Sequence, residues 1–275
     1  MIGQAKRLYE LNEIAGSKLG KNGKIFAFAS GKGGVGKTFV SLNLAMALSS
    51  GGKKILVMDL DFNLSNINVL LNSSSGNKLQ TYFTNEKSLP DLVYKYNKNL
   101  HFIFGDSGVA DYPEITPTAL YKLFQDIKFN LPHKYDFIFL DLPPGVNKNI
   151  LTTLTLVDEI VLLTSPEPTS VMDSYVVIKS LKASGLDYPV NIIVNKAGKS
   201  QGETAFQNLY QAVNHFLKFP IKFLGNISNS ADVTQSIMEQ RPFFEHYTAS
   251  PVYGELLSIA REVNKINHVV NNSQS

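Results

Sequence analysis

The stretch that decides the fold is KIFAFASGKGGVGKTFVSLNLAMALSSGG, residues 24–52. Its opening KIFAFAS is apolar almost throughout, as a strand buried on both faces of a sheet must be. GKGGVGKT (31–38) follows at once and matches the spacing G-x-x-x-x-G-K-[ST]. The next run reads as a helix closed by glycines. Strand, glycine-rich turn and helix in that order are the context in which this spacing marks a phosphate-binding loop. Gly31 opens the motif. Gly33, Gly34 and Gly36 let the backbone curl so that its N–H groups, that of Val35 among them, converge. Together with the helix N-terminus they form a site for polyanions. Lys37 is placed to bridge the β- and γ-phosphates of a nucleotide, and the Thr38 hydroxyl to ligate Mg²⁺.

Outward from this stretch, strand and helix patterns alternate. KKILVMDLD (53–61), LHFIFGD (100–106), YDFIFLDLP (135–143), EIVLLTS (159–165), PVNIIVNK (189–196) and PIKFLGNI (220–227) read as strands. Residues 117–129, 151–156, 169–184 and 203–217 have helical spacing between them. This order predicts an α/β fold: a mostly parallel twisted sheet flanked by helices on both faces, in three layers. Residues 24–270 form one domain in this reading. Before it, Ile2, Ala5, Leu8, Leu11 and Ile14 predict a short amphipathic helix, followed by a loose linker to residue 23. Such a helix needs a surface, either its own domain or another protein. Residues 247–270 read as a last amphipathic helix with the stripe Leu256, Leu257, Ile259, Ala260, Val263, Ile266 and Val270. Only Arg261 and Lys265 flank it, so it reads as a core helix and not as a lipid-binding one. Residues 271–275 read as a disordered tail.

Composition narrows the chemistry. The 275 residues contain no cysteine, which excludes disulfides and cysteine-held zinc or iron–sulfur sites. No run of 18 apolar residues is present, and a cytoplasmic protein is the simplest reading. A net charge of +3 is mild and spread out, so nucleic acid is not an expected partner.

Three aspartates fall at strand ends. Asp59 and Asp61 lie two residues apart and share a side at the carboxyl edge, where open α/β sheets bind ligands. One of them could instead cap the next helix. Asp141 ends the apolar FIFLD and is placed to hold Mg²⁺ through a water. Pro143, Pro144 and Gly145 make a stiff bend after it.

Lys32 has no place in an ordinary phosphate loop. A lysine directly after the first glycine resembles the signature lysine of the MinD/ParA class of P-loop ATPases, and the resemblance runs over about residues 24–265. It implies two subunits sandwiching two ATP molecules, with Lys32 of one reaching the phosphates held by the other. It further implies that Asp59, Asp61 and the DLPPG bend (Asp141, Pro143, Pro144, Gly145) are switches. Asp61 would orient the attacking water, and Asp59 would lie near Mg²⁺. Asn195 would read adenine, Glu167 would touch the partner's ribose, and Asp173 the partner or a regulator. An asparagine in a turn is ordinary, and each acid could equally favour a helix N-terminus. Asn63 stands where the class has glycine in its first switch.

Within the class, MIGQAKRLYEL and DLDFNLSNINVLL are similar to the flagellar-number regulators (FlhG, FleN or YlxH). Gln4, Ala5 and Leu8 fit the segment with which that family activates the SRP-type GTPase FlhF. The resemblance implies an ATP-dependent homodimer that hydrolyses ATP and regulates flagellar number and placement, with FlhF and other regulators as partners. Division-site MinD and ParA-type partitioning ATPases are the alternatives, and the resemblance leaves room for reversible peripheral association with the inner membrane. A metabolic kinase or amidating enzyme on the same fold is the rival from another class.

Overall fold

The computed structural model describes residues 23–61, 65–73, 78–106, 114–131 and 134–268. The amphipathic segment with Gln4, Ala5 and Leu8, the switch residue Asn63 and the tail 271–275 lie outside them. Eight strands form one sheet in the order β3-β4-β2-β5-β1-β6-β7-β8. They are β1 Lys24–Ser30, β2 Ile55–Asp59, β3 Tyr94–Lys95, β4 Leu100–Ile103, β5 Phe137–Asp141, β6 Glu159–Thr164, β7 Val190–Asn195 and β8 Ile221–Ile227. All pair in parallel except β3, which runs antiparallel along the β4 edge. The main helices are α1 Lys37–Ser50, α2 Pro117–Gln125, α3 Lys148–Leu156, α4 Pro168–Ala183, α5 Lys199–Ala212, α6 Ala231–Met238 and α7 Pro251–His268.

The strand alternation of β1 sorts its side chains between two cores. Ile25, Ala27 and Ala29 join the cluster that α2, α3, α4 and α5 cover. Phe26 and Phe28 join the other, under α1 and α7. There the rings of Phe26 and Phe139 lie 5.7 Å apart and those of Phe28 and Phe139 4.8 Å apart, tilted as aromatic quadrupoles favour. Helix α1 is buried nearly all round, which explains its unbroken FVSLNLAMAL. Helix α7 places Val252, Leu256, Ile259 and Val263 in the core, so its apolar stripe packs against α1 and β8. No described helix is long and apolar enough to cross a membrane.

This topology creates the site. From β1 the chain crosses to β2 on one side of the sheet, and from β5 it crosses to β6 on the other, with β1 between β5 and β6. A crevice therefore opens beyond the carboxyl end of β1, where such sheets bind ligands. Hydrophilic caps start the helices around it: Thr116 accepts from Ala119 N–H and Asn147 from Ile150 N–H. The structure adds short elements that the sequence patterns leave out, β3 and α6 among them. Strand β3 is two residues long, too short to show a period, and α6 is an eight-residue helix that buries only Ser236.

Candidate active site

The phosphate loop joins β1 to α1 and turns at Gly36, whose φ of +87° is the left-handed conformation. A Cβ there would come within 2.3 Å of the Asn195 amide nitrogen, so backbone and space both require glycine. Lys37 opens α1 with its ammonium 2.9 Å from Asp141 Oδ1, and the two side chains are 8% and 1% exposed. The phosphate lysine and the strand-end aspartate are thus a buried ion pair. The Thr38 side chain stands half-buried beside them.

The DLPPG bend is tied to the end of β1, where the loop begins. Leu142 N–H donates to Phe28 O, and Gly145 N–H to Ser30 O at 2.8 Å. Gly145 has a φ of +88°. Pro144 comes to 3.8 Å of the place a Gly33 Cβ would occupy.

Asp59 and Asp141 face each other across β2 and β5 in register. Asp59 is fully buried, and its carboxylate accepts from the Ser65 hydroxyl at 2.8 Å, Asn66 N–H at 3.1 Å and Asp61 N–H at 3.0 Å. Burial, then the charge of Asp141, push Asp59 up to about 7, although these hydrogen bonds act the other way. Asp59 thus has the geometry of the capping alternative, tying the chain after β2 back to the sheet. Asp61 lines a cavity of about 250 Å³ with Leu142, Pro143 and Asn147, so the chain after β2 and the bend after β5 share a wall.

Lys32 points elsewhere. Its ammonium lies 2.5 Å from Glu167 Oε2 and 3.3 Å from Thr169 Oγ1, at the start of α4. These side chains are exposed: 34% for Lys32 and 63% for Glu167. The hydrogen bond and charge of Lys32, with a smaller contribution from Lys196, hold Glu167 below the usual glutamate range. Asp173 lies one helical turn on. A Cβ on Gly31 would come within 2.6 Å of the Asp173 Cβ, so the loop can pass α4 only as glycine.

Asn195 ends β7, and its amide donates to Val35 O at 2.7 Å. Here it holds the phosphate loop, whereas the class resemblance assigns it to adenine. The cavity beside it, about 300 Å³, is lined by Gly34, Phe39, Lys196, Asn229, Thr234 and Met238 among others. Lys196 and Thr169 belong to no local motif. Only their tertiary partners, the Gly34 carbonyl and Lys32, mark them.

A glycine nest backed by a buried lysine–aspartate pair belongs to the P-loop NTPases. The ParA family model, described as NUBPL iron-transfer P-loop NTPase, matches residues 21–264, and the chain belongs to this family. Its members hydrolyse ATP, and the chain is an ATPase of that kind. Iron–sulfur carriage needs cysteine ligands, and this sequence has none. The chain is 28% identical to the antiactivator FleN of Pseudomonas aeruginosa over 87% of its own length and 86% of that protein's. It is 29% identical to the flagellum site-determining protein YlxH of Helicobacter pylori, over 88% and 83% of the two chains. Among solved structures, the septum site-determining protein MinD of Pyrococcus horikoshii complexed with Mg-ADP superposes with a TM-score of 0.75. The two are 26% identical, over 88% of this chain and 96% of that one.

Proposed function

We propose that the chain is a Mg²⁺–ATP-dependent switch that dimerises around ATP and sets flagellar number or placement through partner proteins. The observation that carries this reading is the position of Lys32. Lys37 already supplies the cation of its own nest, while Lys32 is held at the surface on Glu167 and Thr169. A second cation there serves a phosphate group that approaches from outside. Positive charge delivered in that way stabilises the oxygens that gain charge during phosphoryl transfer. Glu167 and Asp173 flank the loop on the same face and would meet the incoming subunit or a regulator.

Within one subunit, the loop amides bind the phosphates and Lys37 moves from Asp141 to the β- and γ-oxygens. Asp61 orients the attacking water, and the DLPPG bend registers the γ-phosphate through Gly145 and Ser30. The donors near Asp141 are oxygens, and no group of three His, Cys, Asp or Glu ligands occurs among the described residues. That set fits Mg²⁺, which keeps several waters and takes one or two protein oxygens plus phosphates. Thr38 and Asp141 would hold it, with Asp59 behind them. The ion would neutralise charge on the β- and γ-phosphates. Among the described residues, no carboxylate lines the cavity beside Asn195. Guanine presents paired N–H donors that ask for such an acceptor, so the lining favours adenine.

FleN and YlxH support the flagellar output. In this reading the segment with Gln4, Ala5 and Leu8 docks on FlhF. The apolar stripe of α7 lies in the core, which favours protein partners over a lipid surface. A MinD-type role in division is the second reading, supported by the MinD likeness. The test is direct. Asp61→Ala is expected to bind ATP, lose turnover about a hundredfold and accumulate as dimer in mass photometry. A monomer at saturating ATP would refute the switch. Removing residues 1–20 is expected to leave basal ATPase intact and abolish stimulation of FlhF. Altered flagellar counts in a deletion strain support the flagellar reading, and minicells the division one.

A further inference from the structure

We infer that Asn195 and Lys196 form a positioning pair that sets two successive peptide groups of the phosphate loop before any nucleotide arrives. The inference rests on the nucleotide-binding reading of the loop and deepens it. Asn195 Nδ2 donates to Val35 O at 2.7 Å, and Lys196 Nζ donates to Gly34 O at 2.8 Å. Consecutive side chains thus take consecutive carbonyls of a loop about 160 residues away in sequence.

Planarity turns these two bonds into an orientation rule. In a trans peptide the carbonyl of one residue and the N–H of the next point in opposite directions. Holding Gly34 O toward Lys196 aims Val35 N–H the other way, and holding Val35 O toward Asn195 does the same for Gly36 N–H. Those are two of the donors with which a phosphate nest binds its anion. A glycine-rich loop has no side chains with which to choose this orientation, because glycine samples many conformations. The choice is made from β7.

The turn that carries the pair is itself held. Lys196 has a φ of +58°, a conformation that side-chain-bearing residues adopt at a cost. Such residues persist where surrounding structure fixes them, and they cluster at functional sites. Here Ala197 N–H donates to Ile227 O at 2.9 Å, and Asn226 Nδ2 donates to Ala197 O at 3.0 Å, so β8 pins the residue after Lys196. Asn195 is buried. Lys196 is exposed, and its ammonium bonds to the loop.

The test uses Lys196→Gly, which suits the positive φ and removes only the ammonium and its stem. Binding of Mg²⁺–ATP and of Mg²⁺–tripolyphosphate is titrated for the native chain, Lys196→Gly, Lys196→Arg and Asn195→Asp. Lys196→Gly is expected to keep its melting temperature and to bind both ligands about tenfold more weakly, the loss of one charge-assisted bond. Lys196→Arg, which can still donate to Gly34 O, is expected to restore binding to within about threefold of native. Asn195→Asp sets an oxygen against Val35 O and should lose more than Lys196→Gly. Native-like binding by Lys196→Gly would overturn the inference. So would a loss confined to ATP, because Lys196 would then act on the base and not on the loop. Failure of the native chain to bind either ligand would instead overturn the nucleotide reading on which the pair depends.

Discussion

Two lysines five residues apart in one loop sit in different media. At the root of the loop, Lys37 and Asp141 are 8% and 1% exposed and 2.9 Å apart. At its tip, Lys32 and Glu167 are closer, yet both face water. Distance is therefore a poor guide to what each pair does. Removing a buried charge's partner leaves an ion with no solvent to compensate it. An exposed pair is screened by salt and gives back little when broken. The root pair holds the folded site together, and the tip pair is cheap to exchange for another anion. That is what a cation needs if it is to leave its own subunit's glutamate for a neighbour's phosphate.

The largest effect that can break this comparison is at the root. Lys37→Met should lose about 3–5 kcal/mol of unfolding free energy near neutral pH, read from urea midpoints. Replacing both members, as Lys37→Met with Asp141→Leu, should recover much of it, because an apolar pair carries no desolvation cost. A single variant that unfolds with the native chain would show that the root is as exchangeable as the tip. Lys32→Ala is expected to leave the urea midpoint where it is and to bind ATP, yet to lose about a hundredfold in turnover. Unchanged turnover would remove the transfer role and leave Lys32 as a solvated residue.

A third test sharpens the electrostatics of the root. Asp59 keeps its proton in the native state up to about pH 7. In the unfolded chain the same carboxyl loses it near the ordinary aspartate value of about 4. Between these limits the native state binds more protons, so the contribution of Asp59 is full below pH 4 and is lost as pH rises through 7. The nucleotide-free protein should thus lose stability from pH 5 to pH 7.5, and Asp59→Asn should flatten the decline. A native profile that rises over this range would contradict the burial argument for Asp59.

Much of the frame was legible because its signals are local. The apolar run of β1, the glycines of the loop and the length of α1 follow one another within thirty residues. Strands β2, β5, β6 and β7 are buried on both faces and read as near-continuous apolar runs. Asp59 and Asp141 were legible for the same reason, since each is the last residue of its strand, whereas β2 stops two residues short of Asp61. Less legible were the jobs those aspartates do. Asp59 turns its carboxylate to Ser65 and Asn66, and only the path of the chain after β2 brings those groups to it. The contact of Asp173 with Gly31 and the bonds of Asn195 and Lys196 to the loop depend on where β7 and α4 lie beside β1.

The sequence by itself determined that this chain binds a polyanion at the end of a buried strand. Periodicity and glycine spacing are properties of neighbours along the chain, and physics reads them without a fold. Tertiary structure alone decided which way the loop's amides face, which lysine is buried and which waits at the surface. Those outcomes depend on desolvation and on hydrogen bonds between residues more than a hundred positions apart, and no local pattern records them.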